Sequence, residues 1–215
     1  MSATATTRPT PSLNGSAPSW AEANQACLLA EFARLREQMS GGSPISVGAG
    51  SFEMEPASAI DQLTEAFGLT TFERDVLLLC AGVEMDSALA EKCAQALGSQ
   101  QRLAPTFGLA LASLAEPHWS ALTPAAPLRR FRLIHIDTAH GLTTAPLRID
   151  ERILHFLAGI NQTDARLGSF LAIARIPEAA AEEHQLLAAR LAPIIAVHAA
   201  HPRVLHLCGD DTHGQ

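Results

Sequence analysis

Apolar positions recur at helical spacing from residue 19 onward and change to a strand-like alternation only after residue 130. Ser19-Trp20-Ala21-Glu22 fits a capping box, in which the Ser oxygen and the Glu carboxylate each satisfy an orphan N–H at a helix start. Cys27, Leu28, Phe32 and Leu35 follow on one face, with Arg34, Arg36 and Glu37 assigned to the wet side, and Gly41-Gly42-Ser43-Pro44 ends the helix. A linker through Gly50 leads to a second helix, Ala57 to Phe67, whose Ile60, Leu63 and Phe67 share a face before Gly68. Thr70-Thr71-Phe72-Glu73 repeats the capping box ahead of Val76-Leu77-Leu78-Leu79-Cys80, a density that marks a helix buried on most sides. Asp86 or Ser87 caps the next, Ala88 to Leu97, and Gly98 stands where a left-handed C-cap is expected. Pro105-Thr106 opens another through Leu114, and short turns begin at Pro117-His118-Trp119 and between Pro124 and Leu128.

Phe131-Arg-Leu-Ile-His-Ile136 then alternates as a strand, Asp137 to Gly141 reads as a turn, and Leu142 to Leu147 returns as a partner confined to an edge by Pro146. Several helices followed by one hairpin is the order of elements in a winged-helix domain. Asp150 caps a further helix through Leu157, closed by Gly159. From Pro177 a long Ala-rich helix carries Glu182, Glu183, Leu186, Leu187 and Leu191 to Pro193, where the missing N–H should kink or restart it, and Ile194 to Ala200 completes it. The predicted architecture is mainly α with a small β-hairpin. It divides into a disordered leader (1–18), an N-terminal helix and linker (19–56), a winged-helix-like domain (57–165), and a linker helix with the start of an incomplete ATPase module (166–215).

That last assignment rests on the final residues. Val204-Leu-His-Leu-Cys208 reads as a short apolar strand running into Gly209-Asp-Asp-Thr-His-Gly214, the front half of a phosphate-binding loop. In such a loop backbone N–H groups turn toward phosphate oxygens, a Lys reaches the β/γ-phosphates and a Ser/Thr holds Mg²⁺. Gln215 stands where the Lys belongs, so Gly209, Gly214 and Gln215 form an incomplete nucleotide-binding loop, the first strand of a truncated P-loop α/β module.

Composition narrows the classes. With 47% hydrophobic and 17% charged residues the chain can bury a core, while Ser, Thr, Pro, Ala and Gly in residues 1–18 cannot repay the entropy of ordering. A net charge of −7 opposes non-specific binding to a polyanion, so nucleic acid is disfavoured as a partner. Cys27, Cys80, Cys93 and Cys208 form no CxxC pair and read as reduced thiols. Neither a signal peptide nor a bilayer-spanning run is present, which predicts a cytoplasmic protein without membrane contact.

Four separated segments carry a family resemblance: Leu69 to Asp86, Pro105-Thr-Phe-Gly-Leu-Ala-Leu111, His118-Trp-Ser-Ala-Leu122 and Pro146-Leu-Arg-Ile-Asp-Glu-Arg-Ile-Leu-His155. Together, over about residues 57–165, they resemble the N-terminal region of a bacterial AAA-family ATPase, of the group associated with contractile injection systems, which places a winged-helix domain ahead of the motor. The resemblance implies ATP-driven protein remodelling by a ring oligomer, with ATP and Mg²⁺ as cofactors of a longer parent and protein partners or neighbouring subunits as contacts. Only Gly209 and Gly214 carry over from its first loop, and Gln215 departs from the lysine. Walker B acids, sensors and an arginine finger would lie beyond residue 215, so this chain alone should not hydrolyse ATP.

No catalytic constellation stands out. Gly-x-Ser-x-Gly is absent, and Ser120 beside His118 lies in a Pro-interrupted turn rather than on a strained elbow. His198, His201, His206 and His213 lie near Asp210 and Asp211, but Pro202 separates them and no ligand set closes, so no metal site is expected. His135 and His140 flank the hairpin turn as surface residues. Glu182-Glu183 reads as a solvated helix face. Arg129-Arg130-Phe131-Arg132 is the one basic cluster; it suits phosphate contacts, as would a stand-alone winged-helix DNA-binding regulator, or a protein contact shared with Trp119. Arg148 and Arg152 can pair with Asp150 and Glu151 at the helix start. The helix from Thr106 to Leu114 carries no Lys or Arg, which favours an adaptor that docks protein partners.

Overall fold

In the computed structural model, residues 18–41, 54–98, 104–137, 141–163, 167 and 182–196 are described. The chain divides into two compact units, Met1–Asp164 and Ala165–Gln215. In the first, α1 (Trp20–Met39) begins at the predicted capping box, Ser19 accepting from Glu22 N–H while the Glu22 carboxylate accepts from Ser19. Next come α2 (Ala59–Phe67), α3 (Thr71–Met85), α4 (Ser87–Ala96) and α5 (Phe107–Ser113). A 3-10 turn (Trp119–Leu122) and the single-turn α6 (Pro127–Arg130) lead into β1 (Ile134–Ile136), then β2 (Leu147–Ile149) and α7 (Glu151–Leu157).

The middle of the unit is α3, where Phe72, Val76 to Leu79 and Ala81 are fully buried against α1, α2, α4, α6 and β2. A helix apolar on nearly every side has no choice but the centre of a bundle. Asp86 both ends α3 and caps α4, accepting from Leu89 N–H at 3.0 Å. Cys80 and Cys93 lie in this core as free thiols, and burial pushes the Cys93 thiol up to about 11 and Cys80 further still.

The hairpin is shorter and shifted relative to the alternation read from the sequence. Ile134 pairs with Ile149, His135 with Arg148 and Ile136 with Leu147, whereas Phe131 and Arg132 belong to the turn before β1 and residues 142–144 to turns before β2. Pro146 bridges Thr106, and Leu147 N–H donates to Pro105 O at 2.8 Å, so the Pro105–Thr106 segment flanks β2 on the side away from β1.

Of the three α1 residues assigned to the wet side Glu37 is exposed, but Arg34 and Arg36 are half-buried in ion pairs. Arg34 reaches across to Asp75 of α3 with both terminal nitrogens, and its Nε donates to Glu31 at 2.8 Å. Glu31 also accepts from Arg74 Nη2 at 2.9 Å, and the same nitrogen donates to Asp61 of α2 at 3.2 Å. Arg36 pairs with Asp86 at 3.0 Å. Charges on α1, α2 and α3 thus interlock, the partners of the α1 residues being some 40 to 50 positions away in sequence and invisible to local periodicity. Two polar anchors complete the attachment: Asn24, buried, donates to Leu157 O and accepts from Ala59 N–H, and Trp20 Nε1 donates to Pro56 O.

Burial pushes the Glu31 carboxyl up, but the hydrogen bonds and charges of Arg74 and Arg34 outweigh it and hold the group below the ordinary carboxylate range. The folded value is therefore lower than the unfolded one. The stabilisation from this group is complete above the ordinary carboxylate value and is lost as pH falls through the folded value. Thermal unfolding between pH 7 and 3 should show Tm falling on the acid side, and Glu31→Gln should flatten that fall while lowering Tm at neutral pH.

In the second unit α8 (Glu182–Ala196) carries Glu182, Glu183, Leu186 and Leu187 at the surface. It continues through Pro193 rather than restarting there. Val204 to Gln215, with Gly209, Gly214, Gln215, His206 and His213, lies outside the described residues, as do His198 and His201. Among the described residues no helix is long and apolar enough to cross a membrane.

Candidate functional site

The one basic cluster falls at the junction of α6 and β1, and its backbone decides where each side chain goes. Pro127 starts α6 at the position where a missing N–H costs nothing. One turn later Leu133 N–H donates to Leu128 O at 3.0 Å and Arg132 N–H to Arg129 O at 3.1 Å. That pair of bonds is the Schellman closure, with buried Leu128 and Leu133 as its apolar contact. Closure requires a left-handed residue, and Arg132 supplies it at φ +54°. At the corresponding position α2 ends in Gly68 (φ +62°) and α7 in Gly159 (φ +86°), each with the same two bonds.

The four clustered residues consequently separate. Arg129 turns inward and donates through Nη1 to Leu122 O at 2.7 Å, tying α6 to the 3-10 turn. Phe131 is turned out, 44% exposed, its ring 5.0 Å from Phe67 at the end of α2. The Arg130 guanidinium stacks over that ring at 5.2 Å. Arg132 is exposed on the far side of Phe131 in the chain. Trp119 sits on the 3-10 turn that packs against α6 and is 61% exposed. The sequence named Trp119 and the three arginines; it missed Phe67, whose place at a helix end gives no sign of the ring across from it.

A non-glycine residue in the left-handed region costs about 1–2 kcal/mol. Glycine there gives back about 0.5–1 kcal/mol of that advantage through its freer unfolded chain. Arg132→Gly is therefore expected to raise stability by about 0.5–1 kcal/mol, read as a higher urea midpoint at unchanged slope.

Other candidates are structural. His118 Nδ1 meets Ser120 Oγ at 2.8 Å, but Nε2 meets the Thr70 hydroxyl at 2.9 Å, and Thr70 is the cap of α3, bonded to buried Glu73. The ring also lies edge-on to Phe72. This is a cap braced by an imidazole. His135 Nε2 meets Asp150 Oδ2 at 3.2 Å, while Asp150 caps α7 by accepting from Arg152 N–H. The Arg152 side chain donates to Gln162 O, and Glu151 meets His155 at 3.6 Å. Among the described residues no three His, Cys, Asp or Glu side chains are grouped to hold a metal ion.

A family model described as "Winged helix domain, variant" matches residues 13–171. The chain belongs to this winged-helix family. Comparison with curated proteins and with solved structures returned no match. The matched span covers all of α1 to α7, so in this winged-helix domain the N-terminal helix and its ion pairs belong within the family unit. The helix immediately ahead of the hairpin is α6, with Arg129 and Arg130, rather than the uncharged Thr106–Leu114 segment weighed above. It has only four residues, about 6 Å of helix, against a DNA major groove about 12 Å wide.

Proposed function

We propose that this winged-helix domain is a non-catalytic docking head for protein partners, working in the cytoplasm ahead of an AAA-family ATPase motor in a longer parent. The motor would bind ATP and Mg²⁺ and assemble as a ring, and the head would contact clients or neighbouring subunits through the exposed Trp119 and Phe131. The observation that carries the docking reading is the exposed Phe131 ring, tilted against Phe67 and lying under the Arg130 guanidinium, where a DNA reader would present a helix. Exposed aromatic and arginine side chains are the residue types that anchor protein interfaces. A single turn whose first arginine is spent on a backbone carbonyl cannot lie along base edges, and a net charge of −7 opposes phosphate attraction. The motor is supported by the order of parts: a winged-helix match over 13–171, then the Val204–Cys208 run and the Gly209 and Gly214 spacing.

Three measurements test the reading. Duplex DNA should not be retarded by the chain in low salt, where phosphate-driven binding is strongest; retention with a steep salt dependence would transfer the assignment to a DNA-binding regulator. The reading frame beyond codon 215 should continue into a helix and an acidic Walker B strand, and equilibrium dialysis should show labelled ATP bound by the extended protein and not by this chain.

A further inference from the structure

The α6–β1 corner carries one exposed ring with the Arg130 guanidinium over it, and the exposed Arg132, next in the chain, occupies a backbone position that favours glycine. We propose that the corner formed by Phe67, Arg130, Phe131 and Arg132 is a binding site for an acidic segment of another polypeptide, in which a bulky apolar side chain is flanked by carboxylates. The proposal deepens the docking reading above and rests on it.

Three independent observations converge. First, Phe131 is 44% exposed although a neighbouring ring lies 5.0 Å away, so the pair forms a partly built apolar surface with room for one more side chain. Second, the Arg130 guanidinium lies over the Phe131 ring, 5.2 Å from its centroid, and is exposed, so a carboxylate arriving beside that ring meets a cationic donor. Among the described residues the arginine–carboxylate pairs are made by Arg34 and Arg36 of α1 and Arg74 of α3. Third, Arg132 takes the left-handed place that Gly68 and Gly159 fill at the ends of α2 and α7. Strain of this kind is a mark of functional positions, because folding alone favours its removal.

Charge chooses among occupants. A guanidinium over the exposed ring and a second exposed arginine next in the chain complement carboxylates next to an apolar residue, and they repel a basic segment. Duplex DNA shares the charge but not the shape, since the exposed rings would face phosphate or groove water with no base edge in reach of a one-turn helix.

The test uses the full 215-residue chain on an array of 12-residue peptides of four compositions: acidic with one central Leu or Phe, acidic without an apolar residue, neutral with the apolar residue, and basic with it. The best acidic–apolar peptide is then labelled for fluorescence anisotropy. The expected result is preferential retention of the acidic–apolar class, and at least a tenfold rise in Kd in Phe131→Ala and in Arg132→Gly. Since Arg132→Gly should melt no lower than the parent, its loss of binding cannot be ascribed to unfolding. Retention of no class, or of all classes alike, or binding unchanged in both variants, overturns the proposal. Neutral apolar peptides held as tightly, and released by Phe131→Ala, would overturn the acidic chemistry while leaving a docking domain. Duplex DNA bound in their place through Arg130 and Arg132 would overturn both. Self-association of the free chain abolished by the same variants would make a second copy the occupant, and sink the proposal in favour of a homomeric contact.

Discussion

Asp75→Ala is expected to lower the stability of the domain by about 3–5 kcal/mol, the usual cost of removing one member of a buried ion pair. The Asp75 side chain is 1% exposed and receives both terminal nitrogens of Arg34, itself 14% exposed. Burial pulls the Arg34 guanidinium toward neutrality and Asp75 and Glu31 more than offset this; arginine does not deprotonate in proteins, so the charge remains when its partner is removed. Its remaining acceptors, Glu31 and Gln38, are on its own helix and cannot attach α1 to α3. Small domains have about 5–15 kcal/mol in all, so the loss would leave many molecules unfolded at mild temperature. Urea unfolding followed by Trp20 and Trp119 fluorescence should show a large drop in midpoint at constant slope. Replacing both partners, Arg34→Met with Asp75→Leu, should recover most of it, because the desolvation cost goes with the charges. A single-variant loss under about 1 kcal/mol would mean the pair behaves as a surface bridge.

Helix positions were legible because caps and periodicity are local. Ser19, Thr70, Asp86 and Asp150 each cap the helix they announce. What failed needed long-range knowledge. Arg34 and Arg36 look solvated until Asp75 and Asp86 are folded against them. The alternation at Phe131 to Ile136 looks like one strand, yet its first two residues are taken by the helix closure that joins Leu128 to Leu133. The returning strand is displaced because Pro146 and Leu147 engage Thr106 and Pro105, a pairing across 40 residues. At the candidate site the composition Arg-Arg-Phe-Arg was plain, but its partition was not. That Arg129 serves the fold while Arg130 and Arg132 face outward follows from a left-handed turn that the letters conceal.

The second large effect is expected at Gly82, in the middle of α3. A Cβ there would stand 2.3 Å from Leu89 Cδ2 and 3.1 Å from Phe32 Cδ1, so this glycine is the point where α1 and α4 close on the central helix. Glycine inside a helix costs about 1 kcal/mol relative to alanine, which favours substitution on propensity alone. Packing opposes it: Leu89 is wholly buried and Phe32 is 1% exposed, so neither has empty space to retreat into. Forcing added methyl groups into such a core costs about 1–3 kcal/mol or more. Gly82→Ala should therefore come out only modestly destabilising, the two terms partly cancelling. Gly82→Val, with a branched side chain directed at both neighbours and little propensity gain, should lose about 3 kcal/mol. Trimming the obstacle supplies the internal check. In a Gly82→Ala, Leu89→Val cycle the double variant should be more stable than the sum of the singles predicts, by about 0.5 kcal/mol or more. Strict additivity would show that α1 and α4 can move apart freely. In that case the interlocked charges between α1 and α3, which need the same close approach, would also contribute less than Asp75→Ala is expected to reveal.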